Sequence, residues 1–260
     1  MILKFSKYHG TGNDFIIIDN RNIELNPKKE WIEKICNRRF GIGADGLMLL
    51  EKSRDFDFSM KYYNADGNEG TMCGNGGRCI VAFASSLGII KKIAKFTAID
   101  GKHSAEIIDN NTNEFIVDLK MQDVQDIKIC DDHYFINTGS PHYVSFVENL
   151  EKFDVFNEGR KIRLSKEFAP DGTNVNFVEI KGENIFVRTY ERGVEDETYS
   201  CGTGVTASAI AFYLRENKVV NNILTRGGKL SVKFEKEGNS FTKIHLIGPT
   251  NFVFIGECRT

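Results

Sequence analysis

A chain of 260 residues, 41% hydrophobic and 27% charged, can bury a core of its own, as one large domain or as two of roughly 100–150 residues. Its formal net charge of −2, with acids and bases interspersed, leaves no basic block suited to nucleic acid, and no run approaches the ~20 apolar residues of a membrane-spanning helix. The opening MILKFSKYHGTGNDF has too short an apolar stretch for a secretory signal, so the expectation is a cytoplasmic protein with neither nucleic acid nor membrane as partner.

The first helix signal is PKKEWIEKICNRRF (27–40), with Trp31, Ile32, Ile35 and Cys36 on its apolar face. FDFSMKYY (56–63) alternates with period two, as a half-buried strand does. Between Gly76 and Leu87 the only charge is Arg78, which predicts a helix apolar nearly all round and therefore interior. Strand signals follow at EFIVDLKM (114–121), HYVSFV (142–147), NVNFVEI (174–180) and NIFVRTY (184–190), set apart by turn formers such as DNNTN and KGEN. A second apolar helix is predicted from Gly204 to Leu214, without any charge, and KLSVKFEKE (229–237) and FTKIHLIG (241–248) read as late strands.

The two halves repeat one order of features. DGLMLLE leads to FSMKYYNADGNEGTMCGNG and an apolar helix; DGTNVNFVEI leads to IFVRTYERGVEDETYSCGTG and another. The expected fold is α/β (α+β), with two pseudo-symmetric halves, each a curled, mostly antiparallel sheet around a central apolar helix. The boundary falls near residue 120, giving an N-terminal half over 1–120 that carries Cys73 and a C-terminal half over 121–249 that carries Cys201.

Six cysteines occur without a Cys-x-x-Cys pair, so neither a zinc ribbon nor a thioredoxin-like site is indicated. Cys36, Cys79, Cys130 and Cys258 are expected to be buried or partly buried reduced thiols. Cys73 and Cys201 differ, because each directly precedes a Gly-x-Gly and an apolar helix. A single such motif is an ordinary helix start; two matched copies in a duplicated chain ask for a function. A helix N-terminus carries partial positive charge and N–H groups without intrahelical partners, which lowers a thiol pKa. Glycines there leave the N–H groups open to a carboxylate or phosphate. A pseudo-twofold duplication would bring the two thiols to either side of one substrate carbon. That suits inversion of a stereocentre, where a base and an acid act on opposite faces.

The ordered set KYHGTGNDF (7–15), RRFGIGADGL (38–47), YYNADGNEGTMCGNGGRC (62–79), TGSPHYV (138–144), NVNFVEI (174–180) and YERGVEDETYSCGTG (190–204) resembles the diaminopimelate epimerases over the full chain. The resemblance implies interconversion of LL- and meso-2,6-diaminopimelate without cofactor or metal, in lysine and peptidoglycan precursor biosynthesis. It implies a homodimer, and a C-terminal strand over 250–260 that returns to the first half. It makes Cys73 and Cys201 the catalytic thiols, with His142 and Glu191 setting their protonation. Asn13, Asn64, Asn75, Asn174, Glu191 and Arg192 resemble the substrate-binding set, joined by the helix-mouth N–H groups of Gly74, Asn75, Gly202 and Thr203. The planar fork of Arg192 suits the distal carboxylate.

Three positions depart from the family pattern. Gly46 stands where some members carry glutamine, Ser140 where many carry asparagine, and Phe254 where a tyrosine is linked to dimer packing. The shorter Ser140 hydroxyl is expected to reach a ligand only through water. Rival readings are a proline racemase or hydroxyproline epimerase, which usually has histidine at the position of Asn75 and lacks the ERGVEDE loop, and a phenazine-type isomerase, which lacks the paired thiols. From other classes come a zinc-binding structural module built on Cys73, Cys79, Cys201 and His142, and a pyridoxal-phosphate racemase, for which no Schiff-base lysine stands out.

Overall fold

The computed structural model describes residues 2–125 and 127–259. In chain order the elements are β1 (Ile2–Gly10), β2 (Asn13–Asp19), α1 (Lys29–Cys36), β3 (Gly46–Glu51), β4 (Phe58–Asn64), α2 (Gly74–Ser86), β5 (Ile93–Ala98), β6 (Gly101–Asn110) and β7 (Glu114–Lys120). There follow β8 (Ile127–Ile129), β9 (Tyr134–Asn137), β10 (Pro141–Phe146), α3 (Val155–Arg163), β11 (Asn174–Lys181), β12 (Asn184–Glu191), β13 (Asp196–Thr198), α4 (Gly202–Glu216), β14 (Asn222–Thr225), β15 (Gly228–Glu237) and the long β16 (Ser240–Arg259). The chain divides into two compact units, Met1–Leu119 with Gly248–Thr260, and Lys120–Ile247.

In the first unit the strands run β1-β2-β3-β4-β5-β6-β7-β16, and the end of β16 pairs back with β1, so the sheet closes on itself. Two pairs, β2–β3 and β4–β5, are parallel and need crossovers, which α1 and α2 supply. In the second unit β10–β11 and β12–β14 are the parallel pairs, and α3 and α4 are their crossovers. From β1 to β7 the neighbours run antiparallel, parallel, antiparallel, parallel, antiparallel, antiparallel. From β9 through β10, β11, β12, β14 and β15 to β16 they run in the same order. The sequence duplication is thus a duplication of topology.

The sheet of each unit wraps an apolar helix. Every α2 residue from Gly74 to Ala84 is buried, as is the α4 run from Gly204 to Phe212. The outer crossovers give some strands a second apolar face. Ile16, Ile18, Leu47 and Leu49 pack with Ile32 and Ile35 of α1, while the alternate residues Phe15, Ile17, Met48 and Leu50 are also wholly buried. Burial on both faces explains why β2 and β3 read as continuous apolar runs. On the other unit Val155 of α3 packs with Val175, Phe177 and Tyr190.

Four features differ from expectation. Helix α1 stops at Cys36 because Asn37 turns extended and its Oδ1 accepts the N–H groups of Arg39 and Phe40, both at 2.9 Å. Helix α3 forms on the charge-rich VFNEGRKIR, started by Asp154, whose carboxylate accepts the Asn157 N–H. Strand β16 runs unbroken through Pro249, where two strands were expected; Pro249 lies opposite Ile116 of β7. Cys130 is exposed, since it sits in the tight turn between β8 and β9, where its N–H bonds the His133 carbonyl. Among the described residues no helix is long and apolar enough to cross a membrane.

Candidate active site

In the first unit the hairpin between β1 and β2 turns through Thr11 and Gly12, both at positive φ, and delivers Asn13 at the head of β2. Cys73 is the N-cap of α2, in an extended conformation, and its sulfur accepts the Gly76 N–H at 3.2 Å. The sulfur thus takes the place a serine or threonine oxygen holds in other caps. A Cβ on Gly76 would lie 3.2 Å from that sulfur, so glycine keeps the approach open. Asn13 Oδ1 stands 4.0 Å from Cys73 Sγ and accepts from Asn75 Nδ2 at 3.3 Å, while Asn13 Nδ2 donates to Asp45 at 2.7 Å. Behind them Asp14 is gripped by Lys7 at 2.7 Å and Arg38 at 2.6 Å. Burial works to raise the Asp14 carboxyl, but the hydrogen bonds from Arg38 and Lys7 outweigh it and bring it down to about 2. Arg78, wholly buried, donates to the Gly74 carbonyl at 3.0 Å and to Asn75 Oδ1 at 2.9 Å.

In the second unit the parallel register pairs His142 of β10 with Asn174 of β11 and Val144 with Asn176, so the two asparagines share one strand face. His142 is completely buried, with Asn176 Nδ2 3.0 Å from Nδ1 and Ser140 Oγ 3.0 Å from Nε2. Burial first, then the Arg192 charge, pushes His142 down to about 3. Cys201 is the N-cap of α4 and buried; its sulfur does not cap the helix but lies 3.4 Å from Thr203 Oγ1. Asn174 Oδ1 accepts the Arg192 backbone N–H at 2.9 Å. The Arg192 side chain is half-buried, and Glu191 ends β12 opposite Asp196 of β13.

The first unit therefore gathers Asn13, Cys73, Gly74 and Asn75, and the second gathers His142, Asn174, Arg192, Cys201, Gly202 and Thr203. Asn64 lies at the exposed end of β4, its N–H on the Asn68 carbonyl. Among the described residues no group of three or more His, Cys, Asp or Glu side chains is arranged to hold a metal ion. Ser140 bonds protein groups directly, His142 on one side and Thr203 Oγ1 at 3.2 Å on the other. Asn176 escaped the sequence reading, although its period-two spacing from Asn174 in NVNFVEI was a visible signal. A Cβ at Gly204 would fall 2.3 Å from Asn176 Oδ1. Gly204→Ala is expected to displace Asn176 and lower stability by about 1–3 kcal/mol, read from the denaturant midpoint; an unchanged midpoint would show that the asparagine yields freely.

Solved structures sharing the fold include a phenazine biosynthesis protein of the PhzF family from Bacillus anthracis, with TM-score 0.78, 14% identity and full coverage of both chains. A probable proline racemase from Agrobacterium radiobacter K84 superposes with TM-score 0.67 at 15% identity, over 99% of this chain and 92% of that one. They define the class, a duplicated α/β fold; its distinguishing mark here is a thiol at the mouth of each central helix. The sequence model of the family "Diaminopimelate epimerase" matches residues 5–125 and 134–253. A diaminopimelate epimerase of Flavobacterium psychrophilum is 54% identical, over 97% of this chain and 98% of that protein. One of Chlorobaculum tepidum is 45% identical, over 95% of this chain and 98% of its own length. The chain belongs to the diaminopimelate epimerase family.

Proposed function

We propose that this protein is an isomerase that interconverts LL- and meso-2,6-diaminopimelate by two-base proton exchange at one α-carbon, in lysine and peptidoglycan precursor biosynthesis. The observation that carries the reading is the matched placement of Cys73 and Cys201 as N-caps of the buried helices in two units of identical strand order. In the forward direction one cysteine, as thiolate, takes the α-proton and becomes a thiol; the other, as thiol, delivers its proton to the opposite face and becomes the thiolate. Helix-mouth N–H groups of Gly74, Asn75, Gly202 and Thr203 hold the α-carboxylate and stabilise the negative charge that grows on it in the transition state. The Arg192 fork takes the distal carboxylate, and the amides of Asn13, Asn64, Asn75 and Asn174, with the Glu191 carboxylate, take the amino groups and remaining oxygens. His142 and Glu191 set the protonation of the thiols. No cofactor or metal enters this scheme.

The working form is a cytoplasmic homodimer, to which the exposed Val253, Phe254 and Ile255 of β16 offer an apolar surface. Turnover in heavy water tests the chemistry. Each thiol carries one exchangeable hydrogen, so early product is expected to hold deuterium at the α-carbon while unreacted substrate stays protiated. Product that keeps the original hydrogen would point to a single polyprotic base and overturn the reading.

A further inference from the structure

Around Cys201 runs a hydrogen-bonded chain whose direction is fixed by groups that cannot change role. Asn176 Nδ2 donates to the Tyr143 carbonyl at 2.9 Å, and its Oδ1 accepts from Thr189 Oγ1 at 2.9 Å, so the amide faces one way only. The same Nδ2 therefore donates to His142 Nδ1 at 3.0 Å, which leaves the ring hydrogen on Nε2. Asn174 is pinned in the same manner. Its Oδ1 accepts the Arg192 N–H at 2.9 Å, and its Nδ2 donates to the Pro141 carbonyl at 3.1 Å and to Ser140 Oγ at 3.3 Å. Ser140 Oγ also receives His142 Nε2–H at 3.0 Å, so both its lone pairs are taken and its own hydrogen goes to Thr203 Oγ1 at 3.2 Å. The Thr203 hydrogen is then available to the Cys201 sulfur, 3.4 Å away, and a thiolate there can only accept it.

We infer that Ser140 and Thr203 are positioning residues that carry the donor direction set by His142 to Cys201, so that the last hydroxyl holds the sulfur as a thiolate. This rests on the reading of Cys201 as a catalytic thiol and deepens it. The chain stabilises charge without moving a proton. A proton passed from the thiol toward the ring would meet a nitrogen that already carries hydrogen, and one passed from the neutral ring toward sulfur would leave an imidazolate. With His142 held down to about 3 by burial, the ring is neutral near pH 7 and neither transfer is accessible. His142 acts as a fixed neutral donor, and the base that takes the Cys201 proton lies elsewhere.

The test reads Cys201 by itself. Thr203→Val keeps the branched shape and the backbone N–H but removes the hydroxyl, Thr203→Ser keeps the hydroxyl, and Ser140→Ala cuts the chain one link back. The rate at which iodoacetamide alkylates each cysteine is followed against pH by peptide mass spectrometry. The Cys201 midpoint is expected to rise by about one pH unit in Thr203→Val, the least that loss of a hydrogen bond to a charged group would give, and by a smaller amount in Ser140→Ala, where the Thr203 hydroxyl stays but loses the donor behind it. Thr203→Ser is expected to restore it, with the Cys73 midpoint unmoved in all three. Midpoints unchanged at Cys201, or displaced equally at both cysteines, would overturn the inference; should Ser140→Ala not fold, the two Thr203 variants decide it. Alkylation does not depend on turnover, so failure of the two-thiol mechanism shows separately, as full activity in Cys201→Ala.

Discussion

Cys73→Ala and Cys201→Ala are each expected to lower kcat/KM by about 10³-fold or more, because under the proposed two-thiol scheme either loss removes the acid or the base. The backbone N–H groups at the two helix mouths survive both changes, so substrate binding is expected to fall far less than turnover. The two variants should differ in stability. Cys73 sulfur accepts the Gly76 N–H and caps α2, so its removal is expected to cost about 1 kcal/mol, as loss of other N-caps does. Cys201 does not cap α4, so its removal carries no cap loss, only the cost of deleting one small buried atom. Cys73→Ser separates the two roles, since a hydroxyl restores the cap but ionises far too weakly to replace the thiol. The expected pattern is recovered stability with no recovered activity, measured by denaturant unfolding beside a chiral assay of the two isomers. A single-cysteine variant epimerising near the parent rate would remove that cysteine from the mechanism.

The parts of this fold that sequence made plain are those where burial leaves little choice of residue. The α2 run Gly74–Ala84 and the α4 run Gly204–Phe212 are enclosed on all sides, and only uncharged, mostly small or apolar residues fit there; Arg78 is the exception that marks a polar task. The repeated Cys-Gly-x-Gly was equally plain, because the approach of a sulfur leaves little room for a side chain at Gly76 and that of Asn176 leaves none at Gly204. Helix α3 was hidden because only a narrow stripe of it is buried, Val155 and Gly159, and Gly159 is kept by the Tyr190 side chain, whose own Cβ lies 2.4 Å from where a Cβ would sit. The hydroxyl chain to Cys201 was hidden for another reason. Asn176 meets His142 and Asn174 meets Ser140 through the parallel register of β10 and β11, while Thr203 arrives from α4, and register over a long crossover leaves no local pattern in the residues themselves.

Arg78→Met is expected to stabilise the protein and to impair it. Arg78 is wholly buried in the centre of an apolar helix, and among the described residues no carboxylate pairs with it. Its guanidinium reaches the Gly74 carbonyl and Asn75 Oδ1, while its Nε has no hydrogen-bond partner. Burial pulls its pKa down to about 10, only partly offset by the neighbouring thiols of Cys79 and Cys73. The unfolded chain holds that proton to higher pH than the native one does. The charge therefore works against folding at all pH values below about 10, and the deficit closes only as pH rises above that point. Methionine has similar length, fits a helix and needs no partner, so the variant is expected to gain roughly 1–3 kcal/mol, as replacement of other buried charges by apolar residues has. Function depends on what the charge holds. Arg78 fixes Asn75 Oδ1, which turns Asn75 Nδ2 toward Asn13 Oδ1, beside the Cys73 sulfur. Without the guanidinium that amide keeps the longer contacts to Asn13 Oδ1 at 3.3 Å and the Thr11 hydroxyl at 3.4 Å, and the Cys73 thiolate loses a nearby cation in a poorly screened interior, so kcat/KM should fall about tenfold or more. Arg78→Lys keeps the charge but cannot span both acceptors, and is expected to show partial activity with no gain in stability. Calorimetry and the epimerisation assay on the three proteins decide it: a methionine variant that is less stable than its parent, or fully active, would show that the buried charge is structural alone.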